Sequence, residues 1–304
     1  MNFTLHQLRV FLKVVENKSV TKAAEELFLT QPAVSIQLKR FQDQFEIPLT
    51  EVMGRQLHIT DFGREVASVS KKILDEAEGL SLATAHYKGL LTGKIKISVV
   101  STGKYVIPYF LRDFMKKYPS VEIIINVSNK QSVVKGLQKN DSDFYLVSVL
   151  PDGIPLEKVE LLDNKLYMVG SSRFRDMKLT KKRLSELTLI FREEGSATRN
   201  AMSAYLEDQK IQGYKSMELV SNEAVKQAVN AGLGFSIMPL IGLRNELAME
   251  SLHIFSMKKL PIITRWHLVY PKGKQLLPAS VELIRFIEEN KQQVVENYFD
   301  WAMG

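Results

Sequence analysis

The chain has 304 residues, which is too long for one typical core and favours two or three domains. Its composition, 45% hydrophobic and 25% charged, is ordinary for a globular protein, and the lack of cysteine excludes disulfides, thiolate metal sites and cysteine nucleophiles. No apolar run reaches the ~18 residues that span a bilayer, and Arg9, Lys13 and Glu16 interrupt the apolar N-terminal positions, so the sequence predicts no membrane segment and no signal peptide. A cytoplasmic protein is expected.

Positive charge is unevenly placed along the chain. The formal net charge is +7, yet residues 1–94 contain 12 Lys and Arg against 11 Asp and Glu, whereas residues 9–40 contain 6 against 3. A basic surface that faces a nucleic acid is therefore expected to be local to this segment. If only the charge is considered, an ordinary hydrated surface rich in Lys and Arg explains the overall excess of positive charge equally well.

The first 59 residues predict a set of short helices. Thr4 followed by Gln7 is a capping box, and Ser19 is placed to cap a second helix. Thr30 caps a third helix, in which Pro32 falls in the first turn, where its missing N–H costs little. The third helix carries a stripe of apolar residues at helical spacing, formed by Val34, Leu38, Phe41 and Phe45.

Residues 60–92 predict one long helix. Its apolar residues step by threes and fours along one narrow face, at Val66, Val69, Ile73, Ala77, Leu80, Ala83, Tyr87 and Leu90. A solitary helix of this length cannot bury such a face, so dimerisation with a second copy is the favoured interpretation. A helix that lies on its own domain is the alternative. Gly79 and Gly89 make the helix less than ideal.

From residue 93 onward the chain alternates between predicted strands and predicted helices, and the pattern restarts after Leu166. Such alternation is typical of a mostly parallel α/β sheet. Two similar α/β units predict a bilobed binding domain. Lobe I is expected at about 93–164 and 269–304, and lobe II at about 165–268.

Three short helices with a tight turn and a local basic surface fit a helix-turn-helix, whose second helix enters the major groove of DNA. Six side chains of the third helix face away from its apolar stripe or flank it: Gln31, Pro32, Ser35, Ile36, Lys39 and Arg40. Gln suits adenine edges, Ser suits either base, and Lys or Arg reaches guanine or phosphate. An outward Ile36 fits a thymine methyl, although a lone apolar residue on a surface is common.

Residues 5–63 resemble the N-terminal region of LysR-type transcriptional regulators. The matching stretches are LRVF at 8–11, SVTKAAEEL at 19–27, TQPAVSIQL at 30–38, and IT at 59–60 followed by Gly63. Together these motifs are highly specific, although none is specific alone. The resemblance implies a fold that combines α and α/β parts: an N-terminal winged helix-turn-helix at 1–59, a dimerising linker helix at 60–92, and a two-lobed, periplasmic-binding-protein-like α/β effector domain at 93–304.

The resemblance also implies a function. The protein would be a sequence-specific regulator that binds double-stranded DNA, assembles into a dimer and then a tetramer, and is tuned by a small metabolite without any cofactor. RNA polymerase is a further implied partner, and an effector-independent regulator is the alternative. Lys22 would contact phosphate, and Arg55 would reach the minor groove from the wing. The expected DNA-contacting set is Lys22, Thr30, Gln31, Pro32, Ser35, Ile36, Lys39, Arg40 and Arg55.

Three positions depart from the family pattern. Thr50 stands where the family usually has an aromatic residue, Val52 where it often has arginine, and Ile36 where it often has a basic residue. The second basic contact of the wing is therefore not expected from Val52, and a different base preference is expected at position 36.

Polar residues follow several predicted strands of the second part, where open α/β sheets bind ligands and where helix N-termini suit an anion. Here the chain is similar to the branch of the family that senses carbon, sulfur or nitrogen metabolites, and a small anionic metabolite is the expected effector. Glu193 and Glu194 would repel an anion unless an arginine neutralises them. For each Ser and Thr in this set, the alternative interpretation is that the hydroxyl only caps a helix. The expected effector-contacting set is Ser101, Thr102, Ser128, Arg192, Ser196, Thr198, Arg199 and Phe235.

Catalysis is not predicted. The five histidines are scattered without metal-ligand spacing, and the chain has neither a G-x-S-x-G elbow nor a GxxxxGK phosphate loop. An α/β transferase with a fused helical module is the enzyme alternative, and it requires an acid–base pair for which the sequence offers no candidate. A solute-binding protein is a second alternative, which leaves the first 92 residues unexplained.

Overall fold

The fold comes from a computed structural model that describes residues 2–54, 56–87 and 91–303, with side chains described throughout except at 78–87. The chain divides into two compact units, Met1–Leu90 and Leu91–Gly304. Within the described residues, no helix is both long enough and apolar enough to cross a membrane.

The first unit begins with three helices: α1 (Leu5–Asn17), α2 (Val20–Leu27) and α3 (Gln31–Gln42). Their predicted caps are confirmed. The Gln7 amide donates to Thr4 Oγ1 at 3.2 Å and the Thr4 amide donates to Gln7 Oε1 at 2.9 Å, which completes the capping box. Ser19 and Thr30 cap α2 and α3 through their own side-chain oxygens.

One apolar core holds these helices together. Phe11, Val34 and Phe41 are buried, and the rings of Phe11 and Phe41 pack with centroids 5.1 Å apart. Burying each large side chain is worth about 1.5–3 kcal/mol, so this cluster fixes how α1 meets α3. The opposite face of α3 is left in solvent. Phe45 packs against the same core from beyond the end of α3.

A two-stranded antiparallel wing follows, formed by β1 (Thr50–Met53) and β2 (Gln56–Ile59). The wing joins the next helix through a close approach at Gly63. A Cβ at this position would lie 2.1 Å from the backbone oxygen of Leu49, which accepts a hydrogen bond from the Thr60 amide. Only glycine therefore fits at position 63.

The predicted long helix is α4 (Asp61–Tyr87). The expectation that its whole apolar face forms a seam between two copies is wrong for the first turns. Val66 and Ile73 pack against the winged-helix core, because the start of α4 lies across α1 in the same chain. Val69 is exposed. The side chains of Leu80, Ala83, Tyr87 and Leu90 lie outside the described residues.

The second unit alternates strands and helices, as the sequence predicts. Its strands are β3 (Gly93–Val100), β4 (Val121–Ser128), β5 (Phe144–Val147), β6 (Leu156–Ser171), β7 (Thr188–Arg192), β8 (Lys215–Leu219), β9 (Ser236–Pro239), β10 (Leu252–Phe255) and β11 (Ile262–Pro271). Its α-helices are α5 (Ile107–Lys117), α6 (Lys130–Lys139), α7 (Lys181–Leu184), α8 (Ala197–Asp208), α9 (Asn222–Asn230), α10 (Arg244–Ala248) and α11 (Pro278–Phe299).

The strands form one shared sheet and one small sheet. The shared sheet has the order β10-β6-β11-β5-β3-β4, with β9 also paired to β6. Within it β3 runs parallel to both β4 and β5, whereas β6 pairs antiparallel with β9, β10 and β11, and β11 pairs antiparallel with β5. The expectation of a mostly parallel sheet is therefore wrong for this sheet, because the long strands β6 and β11 run against the strands beside them. The small sheet pairs β7 with β8 in parallel, and a bridge between Leu189 and Phe235 links it to β9. The parallel strands of each lobe thus end at a common edge.

Lobe I has one hydrophobic core and lobe II has two, and β6 and β11 cross from the core of lobe I to the larger core of lobe II. Leu162 of β6 lies in the first core and Met168 in the second. Ile262 of β11 packs against the second core, whereas Trp266 and Leu268 lie in the first. The chain therefore returns from lobe II to lobe I before the expected boundary at residue 268, since β11 already enters the core of lobe I at Trp266.

Candidate DNA interface and effector site

The outward face of α3 carries the predicted base-reading residues. Gln31, Pro32 and Ile36 are exposed, and Ile36 keeps 52% of its surface accessible. Gln31 Nε2 donates a hydrogen bond to Ser35 Oγ at 3.0 Å, so the two polar candidates lie side by side one helical turn apart. The structure thus brings these candidates onto one solvent-facing surface.

The remaining residues of the expected DNA-contacting set lie elsewhere in the first unit. Lys22 is exposed on α2, and Lys39 and Arg40 are exposed in the last turn of α3. The Thr30 hydroxyl is engaged as the α3 cap, with the Ala33 amide 3.4 Å away. Arg55 lies outside the described residues.

A groove between the start of α2 and the wing was missed by the sequence reasoning. It encloses a cavity of about 670 Å³. The lining is free of acidic side chains and consists of Asn17, Lys18, Ser19, Val20, Thr21, Lys22, Val52, Gln56, Leu57, His58, Ile59 and Arg64. The groove is lined by residues of α2 and β2 that are far apart in the chain, so no pattern in the sequence of either element indicates it.

The basic side chains that line this groove differ in whether they already form an ion pair. Lys18 and Lys22 form no ion pair within the part of the chain that the structure describes. Arg64 donates to the Ile59 carbonyl at 2.6 Å and pairs with Asp61. The two lysines therefore leave net positive charge on the groove, which suits an anionic partner.

The unusual wing residue Thr50 has a structural role. Its hydroxyl donates to Gln42 Oε1 at 2.8 Å, and its amide donates to the same oxygen at 3.1 Å. Thr50 thereby ties the wing to the end of α3. Val52 is 71% exposed on the wing, so the second departure from the family pattern removes a charge without adding a packing contact.

In the second unit, the carboxyl ends of parallel strands from both lobes meet. Val100 and Ser128 are paired at the ends of β3 and β4, and Arg192 and Leu219 are paired at the ends of β7 and β8. These ends lead into helix N-termini. Two hydrogen bonds cross between the lobes at this place: Asn222 Nδ2 donates to Ser101 Oγ at 3.4 Å, and the Gln131 amide donates to the Gly195 carbonyl at 3.2 Å.

Three of the predicted effector residues are buried hydroxyls at this edge. Thr102, Ser196 and Thr198 are 7%, 3% and 9% exposed. Ser196 occupies the N-cap position of α8, but its side chain makes no capping hydrogen bond, and the same holds for Thr102 before its short helix. The interpretation of these two residues as plain caps is therefore wrong. Ser128 is half-buried at the end of β4, and the next residue, Asn129, caps α6.

Both arginines of the expected effector-contacting set already bind other groups of lobe II. Arg192 is buried and donates through Nε and Nη2 to both carboxylate oxygens of Glu193, at 2.7 and 2.8 Å. Arg199 pairs with Glu218 and donates to the Arg192 carbonyl at 2.7 Å. The charge of Glu193 is thus balanced by Arg192, whereas Glu194 is exposed. Arg192 Nη1 is buried without a partner among the described residues.

The expectation that Phe235 contacts an effector is wrong for its side chain. Phe235 is 1% exposed in the second core, where its ring packs against Phe174 and Phe255 with centroids 5.5 and 5.3 Å away. Apolar packing in this core fully explains the position of the ring.

Two family models match the chain and together cover most of it. Residues 5–64 match the bacterial regulatory helix-turn-helix protein of the lysR family, and residues 88–292 match the LysR substrate binding domain. The second match alone spans more than half of the chain.

Named relatives agree with these matches. The chain is 36% identical to the HTH-type transcriptional activator CmpR of Synechocystis sp. (strain ATCC 27184 / PCC 6803 / Kazusa), over 96% of this chain and 97% of CmpR. It is 35% identical to the HTH-type transcriptional regulator CbbR of Rhodospirillum rubrum, over 93% of this chain and 95% of CbbR. Both relatives are named as regulators and not as enzymes.

Solved structures show the same fold. The Synechocystis PCC6803 CcmR regulatory domain in complex with 2-PG is similar to 69% of this chain, with 99% of that chain covered, a TM-score of 0.60 and 30% identity. A full-length OxyR variant from Pseudomonas aeruginosa matches 97% of this chain and 95% of its own, with a TM-score of 0.68 at 18% identity. The chain therefore belongs to the LysR family of transcriptional regulators.

Proposed function

We propose that this regulator reads its operator with the outward face of α3 and is tuned by a small anionic metabolite held between the two lobes. Base edges in the major groove are contacted by Gln31, Pro32, Ser35 and Ile36. Guanine or phosphate is contacted by Lys39 and Arg40. The placement of these residues on the outward side of one helix, where all but the half-buried Ser35 are exposed, supports this assignment. Arg55 adds the wing's minor-groove contact.

The groove beside the wing takes the DNA backbone. Lys18 and Lys22 place positive charge there, and Thr21 and His58 supply further polar groups. A duplex that receives α3 in its major groove must pass its phosphates close to the start of the preceding helix. Phosphate contacts of this kind fix the position of the protein on DNA and carry no sequence information directly.

One observation supports the effector assignment most strongly: buried hydroxyls that cap no helix lie where helix N-termini from both lobes converge. Thr102 and Ser196 are the central residues, and α6, α8 and α9 start at the same edge. Helix N-termini present free N–H groups and positive dipole ends, which stabilise an anion. The CcmR regulatory domain in complex with 2-PG supports a small-molecule effector at such a domain.

The proposed oligomeric assembly is based on membership of the same family. A dimer through the linker helix α4, and then a tetramer, would place pairs of α3 helices on the half-sites of an inverted repeat. Effector binding changes the spacing of these pairs only to the extent that it favours one conformation over the other. The site of action is the DNA of the bacterial cytoplasm.

Calorimetric titration of the full chain with 2-PG tests the effector assignment. We expect binding that Ser196→Ala and Thr102→Val each weaken about tenfold, because each removes one hydrogen bond to a charged group. Ser216→Ala, an exposed hydroxyl on β8, should leave the affinity unchanged. If neither 2-PG nor inorganic phosphate bound the protein or altered its DNA affinity, the anionic-effector proposal would be refuted.

A further inference from the structure

The short segment 101–105 of lobe I contacts lobe II at both of its ends. At the first end, Ser101 Oγ accepts a hydrogen bond from Asn222. At the other end, the ring of Tyr105 lies against Gly242, in the short helix Leu240–Gly242 that follows β9. A Cβ at position 242 would lie 2.8 Å from Tyr105 Cε2 and 3.3 Å from Cζ. The missing side chain of Gly242 thus creates the space that the tyrosine ring occupies.

This glycine lies where lobe II rests on lobe I. The neighbouring Ile241 is buried in the first hydrophobic core, although Leu243 is buried in a core of lobe II. Tyr105 itself is half-buried and packs against the first core. The contact between Tyr105 and Gly242 is therefore a contact between lobes, made by backbone on one side and by an aromatic ring on the other.

The hydroxyl end of Tyr105 faces a charged cluster of lobe II. Lys226 of α9 is largely buried and pairs with Glu246 at 2.7 Å and with Glu223 at 3.1 Å. Burial raises the pKa of the Tyr105 hydroxyl, while the charge of Lys226 lowers it and those of Glu223 and Glu246 raise it. The phenol is thus kept neutral and lies within the field of all three charges.

We propose that Tyr105 is a positioning residue that holds the two lobes closed and fixes Ser101 and Thr102 at the effector site. Tyr105, Gly242, Glu223, Lys226 and Glu246 together form what we call the lobe clasp. The clasp acts through the segment it anchors and does not touch the effector. Because only two residues separate Thr102 from Tyr105, opening the clasp moves the effector hydroxyls away from α9. This inference rests on the proposed effector site.

Amide hydrogen exchange of the full-length protein without ligand tests the clasp separately from the effector proposal. The Gln131 amide, bonded to Gly195 across the lobes, reports closure. The Ile190 amide, bonded to Phe235 at 2.8 Å within lobe II, reports the integrity of that lobe. Two variants weaken the clasp in different ways: Gly242→Ala fills the space beside the ring, and Tyr105→Phe removes only the hydroxyl.

We expect Gln131 to exchange about fivefold faster in Tyr105→Phe, the factor that corresponds to one net polar interaction, and faster still in Gly242→Ala. Ile190 should keep its rate in both variants. The matched control Tyr109→Phe, in the same lobe and packed against Tyr298, should change neither amide. If Gly242→Ala does not fold, Tyr105→Phe alone decides.

An unchanged Gln131 rate in Tyr105→Phe would overturn the proposal, and so would an equal rise at Ile190, which would mean that the lobe itself loosens. A parallel titration of the variants with 2-PG separates the two claims. If 2-PG fails to bind even the unaltered protein, the effector assignment is wrong while the exchange result on the clasp still stands. If 2-PG binds, its affinity for Tyr105→Phe should fall only in proportion to the closed fraction that is lost.

Discussion

The side chains of Gln31 and Ser35 are joined by a hydrogen bond of 3.0 Å on the solvent face of α3. In the free protein the amide of Gln31 is therefore oriented by its neighbour and not free to rotate. Pre-ordering of this kind lowers the entropy that a side chain loses when it binds a base edge. It also means that the two residues should act as a pair in DNA recognition.

The first prediction concerns sequence preference. Ser35→Ala removes a base contact and the orientation of Gln31, so discrimination at one or two base pairs should fall by about 1–3 kcal/mol. Competition binding against duplexes that carry every single-base substitution measures this loss. A variant that bound every duplex more weakly by one common factor would show that Ser35 does not read bases.

The second prediction concerns the groove beside the wing. Lys18→Ala should weaken binding to all sequences alike and reduce the slope of log affinity against log salt by about 1, because one phosphate contact is lost. Lys182→Ala makes the same charge change on an exposed residue of the second unit, and its slope should match that of the unaltered protein. If the two variants had equal slopes, the groove would not contact DNA.

The third prediction concerns the close approach at Gly63. Gly63→Ala would place a methyl group 2.1 Å from the Leu49 carbonyl oxygen, an atom of the backbone that cannot rotate away. We expect the first unit to lose about 3 kcal/mol of stability, and DNA binding to fall with it. Ser68→Ala, on an exposed face of α4, serves as the control in thermal unfolding. Equal midpoints for the two variants would contradict the packing described for the wing.

Several features of the fold could be predicted from the sequence because local rules govern them. The caps at Thr4, Ser19 and Thr30, and the buried stripe on α3, follow from residue type and spacing within a few positions. The alternation of strands and helices after residue 93 follows in the same way.

Other features depend on contacts between distant residues and could not be read from spacing. Val66 and Ile73 have the period of a dimer seam, yet the winged-helix core of the same chain covers them. Phe235 has the local setting of a ligand contact, but rings from two other elements enclose it. The groove beside the wing and the contact of Tyr105 with Gly242 likewise exist only after folding.

The fourth prediction concerns the acid dependence of stability through Glu282 on α11. The ion pair with Arg285 lowers the pKa of the Glu282 carboxyl from its ordinary value of 4.5, burial opposes this, and the Tyr118 hydroxyl adds to the lowering. A lowered folded-state pKa contributes stability that is present above the ordinary value and is lost as the pH falls through the folded-state value. Glu282→Gln should therefore cost about 1–2 kcal/mol at pH 7.

Urea unfolding at several pH values measures this cost. The cost should shrink as the pH falls below 4.5 and vanish below the lowered folded-state pKa, where the unaltered carboxyl is also neutral. Glu289, an exposed partner of the same arginine at 3.0 Å, provides the control. Glu289→Gln should cost less than about 0.5 kcal/mol at any pH. A cost for Glu282→Gln that stayed constant down to about pH 3 would mean that its charge does not stabilise the fold.

The most direct test of the central claim is a titration of the purified full-length protein against the intergenic DNA beside its own gene. The titration is run at two salt concentrations, with and without 2-PG, and against a scrambled duplex of equal length. We expect binding at least about a thousandfold tighter to the intergenic DNA, with affinity that falls steeply as salt rises. Equal affinity for the two duplexes under all four conditions would contradict the assignment of α3 as a sequence-reading helix.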